Sequence, residues 1–413
     1  MTANSPACRF CGAPLDTLFA DLGETPLSNS YVTEADVAAG RDTAHPLVVR
    51  VCGSCFLVQA DEVVRHADIF GADYTYFSSY SDSWVAHAGR YAEAMRARFG
   101  LGPSSRVIEV ASNDGYLLQH FKAAGVPVLG VEPTASTANA AIAKGIDTRI
   151  EYFGKAFGQK LAAEGIRADL TAANNVLAHV PDILDFACGF TEVLTPEGVA
   201  TFEFPHLLNL INLVQFDTIY HEHFSYLSLL AVERVFDKAG LRVFDAEELP
   251  THGGSLRVFA CRKEAGHAEQ PGVAAIRAAE RAAGLDTLAG YAGFPEKIRA
   301  CCESFRAFLD TARAEGRTVA AYGAAAKGNT FLNVCGVTAE EITMVADRSH
   351  AKQGKLLPGS HVPIVDPAEL IASRPDYVVI LPWNLADEIR AQLGELEQGG
   401  TRFVTAVPET RIL

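Results

Sequence analysis

Long apolar runs are absent from this 413-residue sequence, and no run reaches the roughly 18 consecutive apolar residues of a membrane-spanning helix. We therefore expect no membrane partner. The first ten residues, MTANSPACRF, also lack the basic and apolar regions of a secretory signal peptide. This leads us to expect a cytoplasmic protein.

Basic residues are in short supply: 35 Lys and Arg face 50 Asp and Glu, which gives a net charge of −15. A nucleic-acid partner needs clustered cations on its protein, so this class of function is excluded, whereas a local basic pocket for a small phosphate is not. The length predicts two or three domains, and 49% hydrophobic with 21% charged residues is typical of globular proteins.

The nine cysteines include two Cys-x-x-Cys pairs, Cys8 with Cys11 and Cys52 with Cys55. Each pair can hold one side of a tetrahedral metal, and four thiolates suit Zn²⁺. The alternative is four reduced thiols in a small core. A closed site of four cysteines leaves no open position, so this zinc would be structural. Short apolar runs such as residues 47–51 predict a small strand-rich unit around it.

Residues 74–81 contain three tyrosines and three serines. This composition fits an ordinary strand or loop. It also fits a segment that offers phenol and hydroxyl donors to a polar ligand, and the candidates for that role are Tyr76, Ser78, Ser79 and Tyr80.

From Arg106 onward, apolar strands alternate with amphipathic helices, which predicts a parallel sheet covered by helices on both faces. Ligands of such sheets bind at the carboxyl ends of the strands. The first turn there is not the Gly-x-Gly-x-x-Gly of a dinucleotide site, and its acidic residues would repel a pyrophosphate. It suits a nucleoside with a positive charge, which points to S-adenosylmethionine. The cofactor candidates are Glu109, Ala111, Asn113, Asp114, Glu132, Pro133, Asn174 and Asn175, and Glu203 ends the next strand.

Residues 218–226, TIYHEHFSY, combine two imidazoles, a carboxylate and two phenols. A His–Glu pair can be a structural hydrogen bond, and a His-x-His pair can bind a metal, but no further metal ligands are evident. The third interpretation is a catalytic centre. In a continuous strand Tyr220 and Glu222 would face away from His223, so this interpretation requires a turn.

Residues 250–257 contain a glycine turn that leads into a strand, either a plain hairpin or a polar wall that includes His252. Residues 263–316 have helical spacing. A second α/β unit follows, in which small residues and Lys327 precede a helix; this is either a phosphate seat or ordinary packing. A later strand ends at Trp383 and Asn384.

Several motifs, taken in order, resemble those of the nucleotide-sugar C-methyltransferases of deoxysugar pathways. They are the two Cys-x-x-Cys pairs, the Tyr-rich segment, residues 109–115 (EVASNDG), residues 130–133 (GVEP), Asn175 with His179, and Tyr220 with Glu222 and His223. The resemblance covers nearly the whole chain. It implies an α/β protein with a small N-terminal zinc-binding domain (1–68), a central Rossmann-like class I methyltransferase domain (69–262), and a helical linker with a second α/β domain that binds the nucleotide sugar (263–413).

The resemblance also implies an S-adenosylmethionine-dependent enzyme with structural zinc that methylates C3 of a 4-keto sugar linked to a nucleotide, with TDP expected. We assign His223 as the base and Glu222 as a group that orients or tunes the site. Tyr220 and Tyr76 are the donors to the 4-oxygen, and His179 is a polar contact or proton relay. The substrate candidates are Ser78, Ser79, Tyr80, His252, Lys327, Trp383 and Asn384. The protein is expected to be a monomer or homodimer.

Two further hypotheses remain open from the sequence. One is a sugar O- or N-methyltransferase, which needs a base but no enolate. The other is a non-enzymatic zinc scaffold.

Overall fold

The computed structural model describes residues 6–64 and 77–413, and the secondary structure of these residues includes three sheets. The strands are β1 (Thr17–Pro26), β2 (Ala44–Val51), β3 (Val58–Ala60), β4 (Val107–Val110), β5 (Val128–Val131), β6 (Thr148–Arg149), β7 (Ala168–Asn174), β8 (Leu194–Pro205), β9 (Ser225–Tyr226), β10 (Leu241–Leu249), β11 (Ser255–Arg262), β12 (Val319–Tyr322), β13 (Val345–Ala346), β14 (Ile364–Val365), β15 (Tyr377–Ile380), β16 (Arg402–Thr405) and β17 (Arg411–Ile412).

The helices are α1 (Glu34–Ala38), α2 (Asp82–Phe99), α3 (Leu118–Ala123), α4 (Ala135–Ala143), α5 (Lys155–Ala163), α6 (Ile183–Val193), α7 (Leu207–Asn212), α8 (Leu229–Ala239), α9 (Pro271–Ala282), α10 (Phe294–Ala314), α11 (Ala326–Val334), α12 (Pro367–Ser373), α13 (Ala386–Gln392) and α14 (Gly394–Gln398). Across the described ranges, every helix is too short or too polar to traverse a lipid bilayer.

Several helices begin at a residue whose side chain caps the first turn or end at a glycine in the left-handed conformation. The Ser81 side chain accepts a hydrogen bond from the Trp84 amide at the start of α2, and Gly100 ends this helix with a φ of 61°. Ser228 caps the start of α8 in the same way. Such caps satisfy amides and carbonyls that lack partners within the helix.

The N-terminal sheet has the strand order β1-β2-β3-β9 and is antiparallel. Its fourth strand, β9, comes from the histidine-rich stretch far along the chain. Val58 of β3 is opposite Tyr226 of β9. The N-terminal unit is therefore joined directly to the stretch that the sequence singled out as catalytic.

The central sheet has the order β10-β11-β8-β7-β4-β5-β6. Strands β4 to β8 are parallel, and β11 is antiparallel to its neighbours β8 and β10. Counted from β4, the first five strands follow the 3-2-1-4-5 order of a Rossmann-like sheet. The prediction of a Rossmann-like central domain is confirmed.

The helical segment after the central sheet is anchored by Glu280 of α9. Its fully buried carboxylate accepts hydrogen bonds from the amides of Leu229 and Leu230, at 2.6 and 2.9 Å. His206 Nε2 lies 2.8 Å from the same carboxylate. Because these contacts cap the start of α8, the linker is fixed to the central domain.

The C-terminal sheet has the order β14-β13-β12-β15-β16-β17, with an antiparallel final pair. Counted from β12, this is the 3-2-1-4-5-6 order of a second doubly wound domain, so the predicted C-terminal α/β domain is confirmed. Ligand crevices in this topology lie where the order reverses, here between β12 and β15.

Residues 28–32 of the N-terminal domain lie against the C-terminal domain. Ser28 Oγ is 3.1 Å from Thr330 Oγ1, and the Tyr31 hydroxyl donates to the Ala324 carbonyl at 2.7 Å. Val32 and Leu356 exchange backbone hydrogen bonds. The first and last domains thus contact each other beside the crevice of the second α/β domain.

Candidate active site

The four cysteines of the two knuckles converge: their Sγ atoms all lie within 4.8 Å of one another. Cys8 and Cys55 are 3.6 Å apart, and Cys11 and Cys52 are 3.5 Å apart. Tetrahedral Zn–S bonds of about 2.3 Å place sulfurs ~3.8 Å apart, so this set fits zinc. Gln59 Nε2 donates to Cys8 Sγ, and the Ser54 amide donates to Cys52 Sγ. Such donors orient thiolate ligands.

Arg9 connects this cysteine cluster to the histidine-rich stretch. Its backbone amide donates to Gln59 Oε1 at 3.0 Å, and its guanidinium donates to the Ala60 carbonyl at 2.7 Å and to the Phe224 carbonyl. Phe224 follows His223 directly. A residue between two cysteine ligands therefore fixes the backbone next to the proposed base.

The first turn of the central sheet has an unusual backbone. Ala111 and Asn113 after β4, and Asn175 after β7, have φ values of 56°, 49° and 54°. Non-glycine residues rarely adopt this left-handed conformation, and it concentrates at ligand sites. Glu132, at the end of β5, accepts hydrogen bonds from the amides of Asn113 and Thr134. The half-buried Pro133 lies between Glu132 and Thr134 in the chain.

This edge has polar atoms available for a nucleoside. Within the described ranges, the buried Ser112 Oγ, Asp114 Oδ1 and Asn174 Oδ1 atoms have no hydrogen-bond partner. Buried polar atoms are normally paired, so these oxygens fit an adenosyl ligand that supplies the missing donors. The predicted cofactor residues are thus brought to one edge of the sheet.

The charge of this turn differs from the expectation. Burial raises the pKa of Glu109 well above its usual range and also raises the pKa of Glu132. Lys144 Nζ pairs with Asp114 Oδ2 at 2.9 Å. The chain itself therefore offsets part of the negative charge that the sequence indicated.

The Tyr-rich segment is only partly described, and Tyr76 lies outside the described residues. Asn113 Oδ1 accepts a hydrogen bond from the Ser78 amide at 2.9 Å, and Ser79 Oγ bonds Asp114 Oδ2. Tyr80 is exposed and stacks on Phe77. These contacts place Ser78 and Ser79 against the cofactor turn, whereas we predicted them as substrate contacts.

Residues 220–223 form the turn that the catalytic interpretation requires. The His223 amide donates to the Tyr220 carbonyl at 2.9 Å. The rings of Tyr220 and His223 are 4.0 Å apart between centroids, and His179 packs edge-on to His223 at 4.6 Å. Two of the groups predicted to act with His223, Tyr220 and His179, therefore lie beside it.

The proton on His223 has a defined position. Nδ1 is 2.8 Å from the Thr218 carbonyl oxygen, which can only accept, so Nδ1 carries the hydrogen and the neutral ring keeps a lone pair on Nε2. Burial, with a smaller contribution from the nearby Lys327 and His252, lowers the pKa of His223 to about 4. A backbone carbonyl, and not Glu222, orients this imidazole.

Glu222 faces the N-terminal domain. Asn29 Nδ2 donates to Glu222 Oε1 at 2.5 Å, and burial raises the pKa of Glu222 to about 7. The adjacent His221 donates through Nε2 to the Pro46 carbonyl at 3.2 Å, because a carbonyl can only accept, so Nε2 carries the hydrogen. Within the described part of the chain, the cysteine cluster is the only His, Cys, Asp and Glu group arranged for a metal, which disfavours a metal site at His221 and His223.

The predicted substrate residues of the far end form one wall. Lys327 Nζ donates to Asn384 Oδ1 at 3.1 Å and lies 5.0 Å from the Trp383 ring. Gly253 has a φ of 87°, and a Cβ there would fall 2.3 Å from the indole, so the edge of the Trp383 ring packs directly against the glycine turn. His252 Nε2 is 3.2 Å from Asn175 Nδ2, which connects this wall to the cofactor edge.

Several residues of the site were missed by sequence analysis. Glu203 was noted only as a strand end, yet it pairs with both His87 and Arg257. Asp217 and Asn29 were not considered. Asp217 directly precedes the chosen stretch, and that proximity was the only signal available; Asn29 is far away in sequence and gave none.

Comparison with known proteins agrees with this architecture. A family model described as a zinc binding domain matches residues 8–70, a methyltransferase domain matches residues 84–246, and a C-methyltransferase C-terminal domain matches residues 250–408. The chain is 37% identical over 411 residues to the C-methyltransferase NovU of Streptomyces niveus, covering 98% of this chain and 96% of NovU.

The chain belongs to the C-methyltransferase family. This C-methyltransferase has the S-adenosylmethionine-binding fold and the zinc-binding cysteine set that the sequence predicted. The residues that fit S-adenosylmethionine are those at the ends of β4, β5 and β7.

Solved structures of methyltransferases also match the chain. Magnesium protoporphyrin IX methyltransferase from Synechocystis PCC 6803 with bound SAH is 15% identical, with a TM-score of 0.35, over 48% of this chain and 92% of that one. An S-adenosylmethionine-dependent methyltransferase from Mesorhizobium loti is 14% identical, with a TM-score of 0.34, over 43% and 100%. The fold assignment rests on the strand order and the family models.

Proposed function

We propose that this C-methyltransferase methylates C3 of a 4-keto deoxysugar linked to a nucleotide, through an enolate, with TDP as the expected nucleotide. The proposal rests on the geometry of His223. The contact between its Nδ1 and the Thr218 carbonyl leaves the lone pair on Nε2, and the rings of Tyr220 and His179 lie beside the imidazole.

The first step is removal of the proton on the carbon next to the ketone. His223 Nε2 takes this proton, and the C–H electron pair moves into the enolate. Burial holds the pKa of His223 near 4, so the imidazole is neutral at physiological pH but is a weak base. The enolate oxygen must then be stabilised strongly, as in an oxyanion hole.

Tyr220 and His179 are the described groups suited to that stabilisation, and Tyr76 remains a candidate outside the described residues. The phenol and imidazole are held against His223 before the substrate arrives. Fixed donors of this kind are typically worth about 2.7–4 kcal/mol each to the barrier.

S-adenosylmethionine supplies a methyl group that its sulfonium makes electrophilic. The backbone turn around Asn113, the carboxyl group of Glu132 and the amide of Asn174 would hold its nucleoside part. The chain contributes positioning, which can account for roughly 7–11 kcal/mol of such a barrier. The product keeps its ketone, and His223 returns its proton to solvent.

The nucleotide end of the substrate is proposed to bind the C-terminal domain. Lys327 lies at the start of the nine-residue helix α11, directly after the β12 turn and at the reversal of strand order. Helix starts and a neighbouring cation attract phosphate groups. Asp347, 24 residues after Gly323, follows β13 where comparable domains carry the carboxylate that binds ribose.

Deuterium exchange at the sugar C3 tests the base. The wild-type enzyme, incubated in D₂O with TDP-linked 4-keto deoxysugar and no methyl donor, should exchange the C3 hydrogen. His223→Gln should lose exchange by a factor of 10² or more, as is typical for general bases, with unchanged affinity for S-adenosylhomocysteine.

His221→Gln is the matched control, because His221 lies in the same turn but faces Pro46. It should retain exchange. Wild-type-like exchange in His223→Gln would remove His223 as base, and a methyl group found on oxygen or nitrogen of the product would contradict the proposed reaction.

A further inference from the structure

Asp217 is a buried carboxylate to which the mechanism gives no role. Only 1% of its surface is exposed, and it lies in the 3-10 turn Phe216–Thr218. The carbonyl of the next residue, Thr218, is the group that fixes His223. A buried carboxylate is costly unless it is paired, so its contacts indicate what it stabilises.

Two side chains that interact with Asp217 belong to the C-terminal domain. Trp383 Nε1 donates to Asp217 Oδ2 at 2.7 Å, and the ammonium of Lys327 is close enough to oppose the rise in the pKa of Asp217 to about 6 that burial causes. Within the described ranges, Asp217 Oδ1 has no hydrogen-bond partner. The carboxylate therefore faces the proposed substrate wall, with one acceptor atom still available.

Several groups contact the Trp383 side chain where it meets Asp217. The edge of its indole packs against Gly253, whose carbonyl accepts from Gln215 Nε2 at 2.7 Å. Lys327 Nζ lies over the Trp383 ring, 5.0 Å from its centroid. The hydrogen bond to Asp217 is the polar contact that sets the rotation of the indole in this gap.

We propose that Asp217 is a positioning residue for the nucleotide-sugar substrate: it fixes Trp383 opposite Lys327 and thereby aligns the wall of the C-terminal domain with the turn that holds His223. This inference rests on the proposed function, since it concerns the same substrate. Asp217 acts through Trp383 and is not itself assigned a contact with the reacting carbon.

Charge and hydrogen bonding predict opposite effects when Asp217 is replaced. Loss of the negative charge alone removes repulsion of an anionic ligand and should strengthen the binding of TDP. Loss of the hydrogen-bond acceptor releases the Trp383 indole and should weaken the binding of TDP. Asp217→Asn removes the charge but keeps an oxygen acceptor, whereas Asp217→Ala removes both.

The test compares wild type, Asp217→Asn, Asp217→Ala, Trp383→Phe and the Ala/Phe double variant by calorimetry with TDP and, separately, with S-adenosylhomocysteine. Asp217→Asn should bind TDP at least as well as wild type. Asp217→Ala and Trp383→Phe should each bind TDP about tenfold more weakly than Asp217→Asn, and the double variant no more weakly than either, because one interaction is removed. Affinity for S-adenosylhomocysteine should stay within about twofold.

Equal TDP affinity in Asp217→Asn and Asp217→Ala, multiplied effects in the double variant, or a parallel loss of S-adenosylhomocysteine binding would overturn the positioning role. Trp383→Phe keeps a ring in the gap, so it remains informative if Asp217→Ala fails to fold. Absence of TDP binding by the wild-type enzyme would instead count against the proposed function, and the inference would fall with it.

Discussion

At His223 the surrounding groups determine both the tautomer and the protonation state of the ring. The Thr218 carbonyl selects one tautomer, and burial keeps the ring neutral. The sequence pointed to a neighbouring glutamate as the orienting group. That group is a backbone carbonyl five positions earlier, which no side-chain pattern can reveal.

Glu222 yields a prediction about stability. Its pKa is about 7 in the folded protein against 4.5 for an ordinary glutamate, because burial disfavours the charged form. The folded state therefore binds more protons than the unfolded state between pH 4.5 and 7, so stability is lost as pH rises through this window, by roughly 3 kcal/mol. Glu222→Gln removes the titration and should gain that amount relative to wild type between pH 4.5 and pH 8.

Urea unfolding at pH 4.5 and pH 8 measures this change. Glu264→Gln, at an exposed turn position, is the control and should track wild type at both pH values. A constant difference between Glu222→Gln and wild type across the range would show that Glu222 does not titrate as described.

At the scale of elements, the cysteine cluster and the turn that holds His223 form one structural unit. Arg9 lies between the ligands Cys8 and Cys11 and binds the Phe224 carbonyl, and β9 pairs with β3 of the zinc-binding domain. We therefore expect zinc binding to affect catalysis through this structural link, without contact to the substrate.

Arg9→Met should lower kcat while the protein keeps its zinc. One hydrogen bond from a charged group contributes about 1.5–3 kcal/mol. If the transition state loses this whole contribution, kcat should fall roughly 10- to 100-fold. Zinc content by elemental analysis, kcat and S-adenosylhomocysteine affinity are the measurements.

Arg234→Met is the matched control for Arg9. The exposed Arg234 donates instead to the Ser54 carbonyl, between the cysteines of the second pair, at 3.0 Å. It should retain kcat. If both variants lose activity equally, or if Arg9→Met loses zinc, the specific link through Phe224 is wrong.

The strands of both α/β domains were largely predictable, because short runs such as β5 and β15 are continuously apolar and buried on both faces. Other elements depend on distant partners. In residues 342–346, for example, only Val345 and Ala346 pair with a neighbouring strand, since the Ile342 amide bonds the Thr338 carbonyl in a turn. β9 has two residues and exists through β3, which no local pattern can show.

At the scale of the whole molecule, the sequence predicted three domains and the residues at each strand end, but not how the domains meet. Asn29 reaches Glu222, Asp217 reaches Trp383, and Asp42 pairs with His361 at 2.7 Å. Each contact joins positions separated by more than 150 residues. Such pairs follow from the packing of complete domains, so a single sequence gives no signal for them. The domain boundaries at 68 and 262 remain a prediction.

The charge of the whole molecule leads to the last prediction. A chain with a net charge of −15 repels an anionic nucleotide sugar, so a local cation has to attract it, and Lys327 is the half-buried cation at the proposed phosphate seat. Lys327→Met should weaken TDP binding tenfold or more and raise KM for the nucleotide sugar, with S-adenosylhomocysteine affinity unchanged. Lys263→Met removes the same charge from an exposed pair with Asp237 and should leave TDP binding nearly as it was. Calorimetry on both variants separates a local site from a general charge effect, because equal losses in the two would mean that net charge alone governs the affinity.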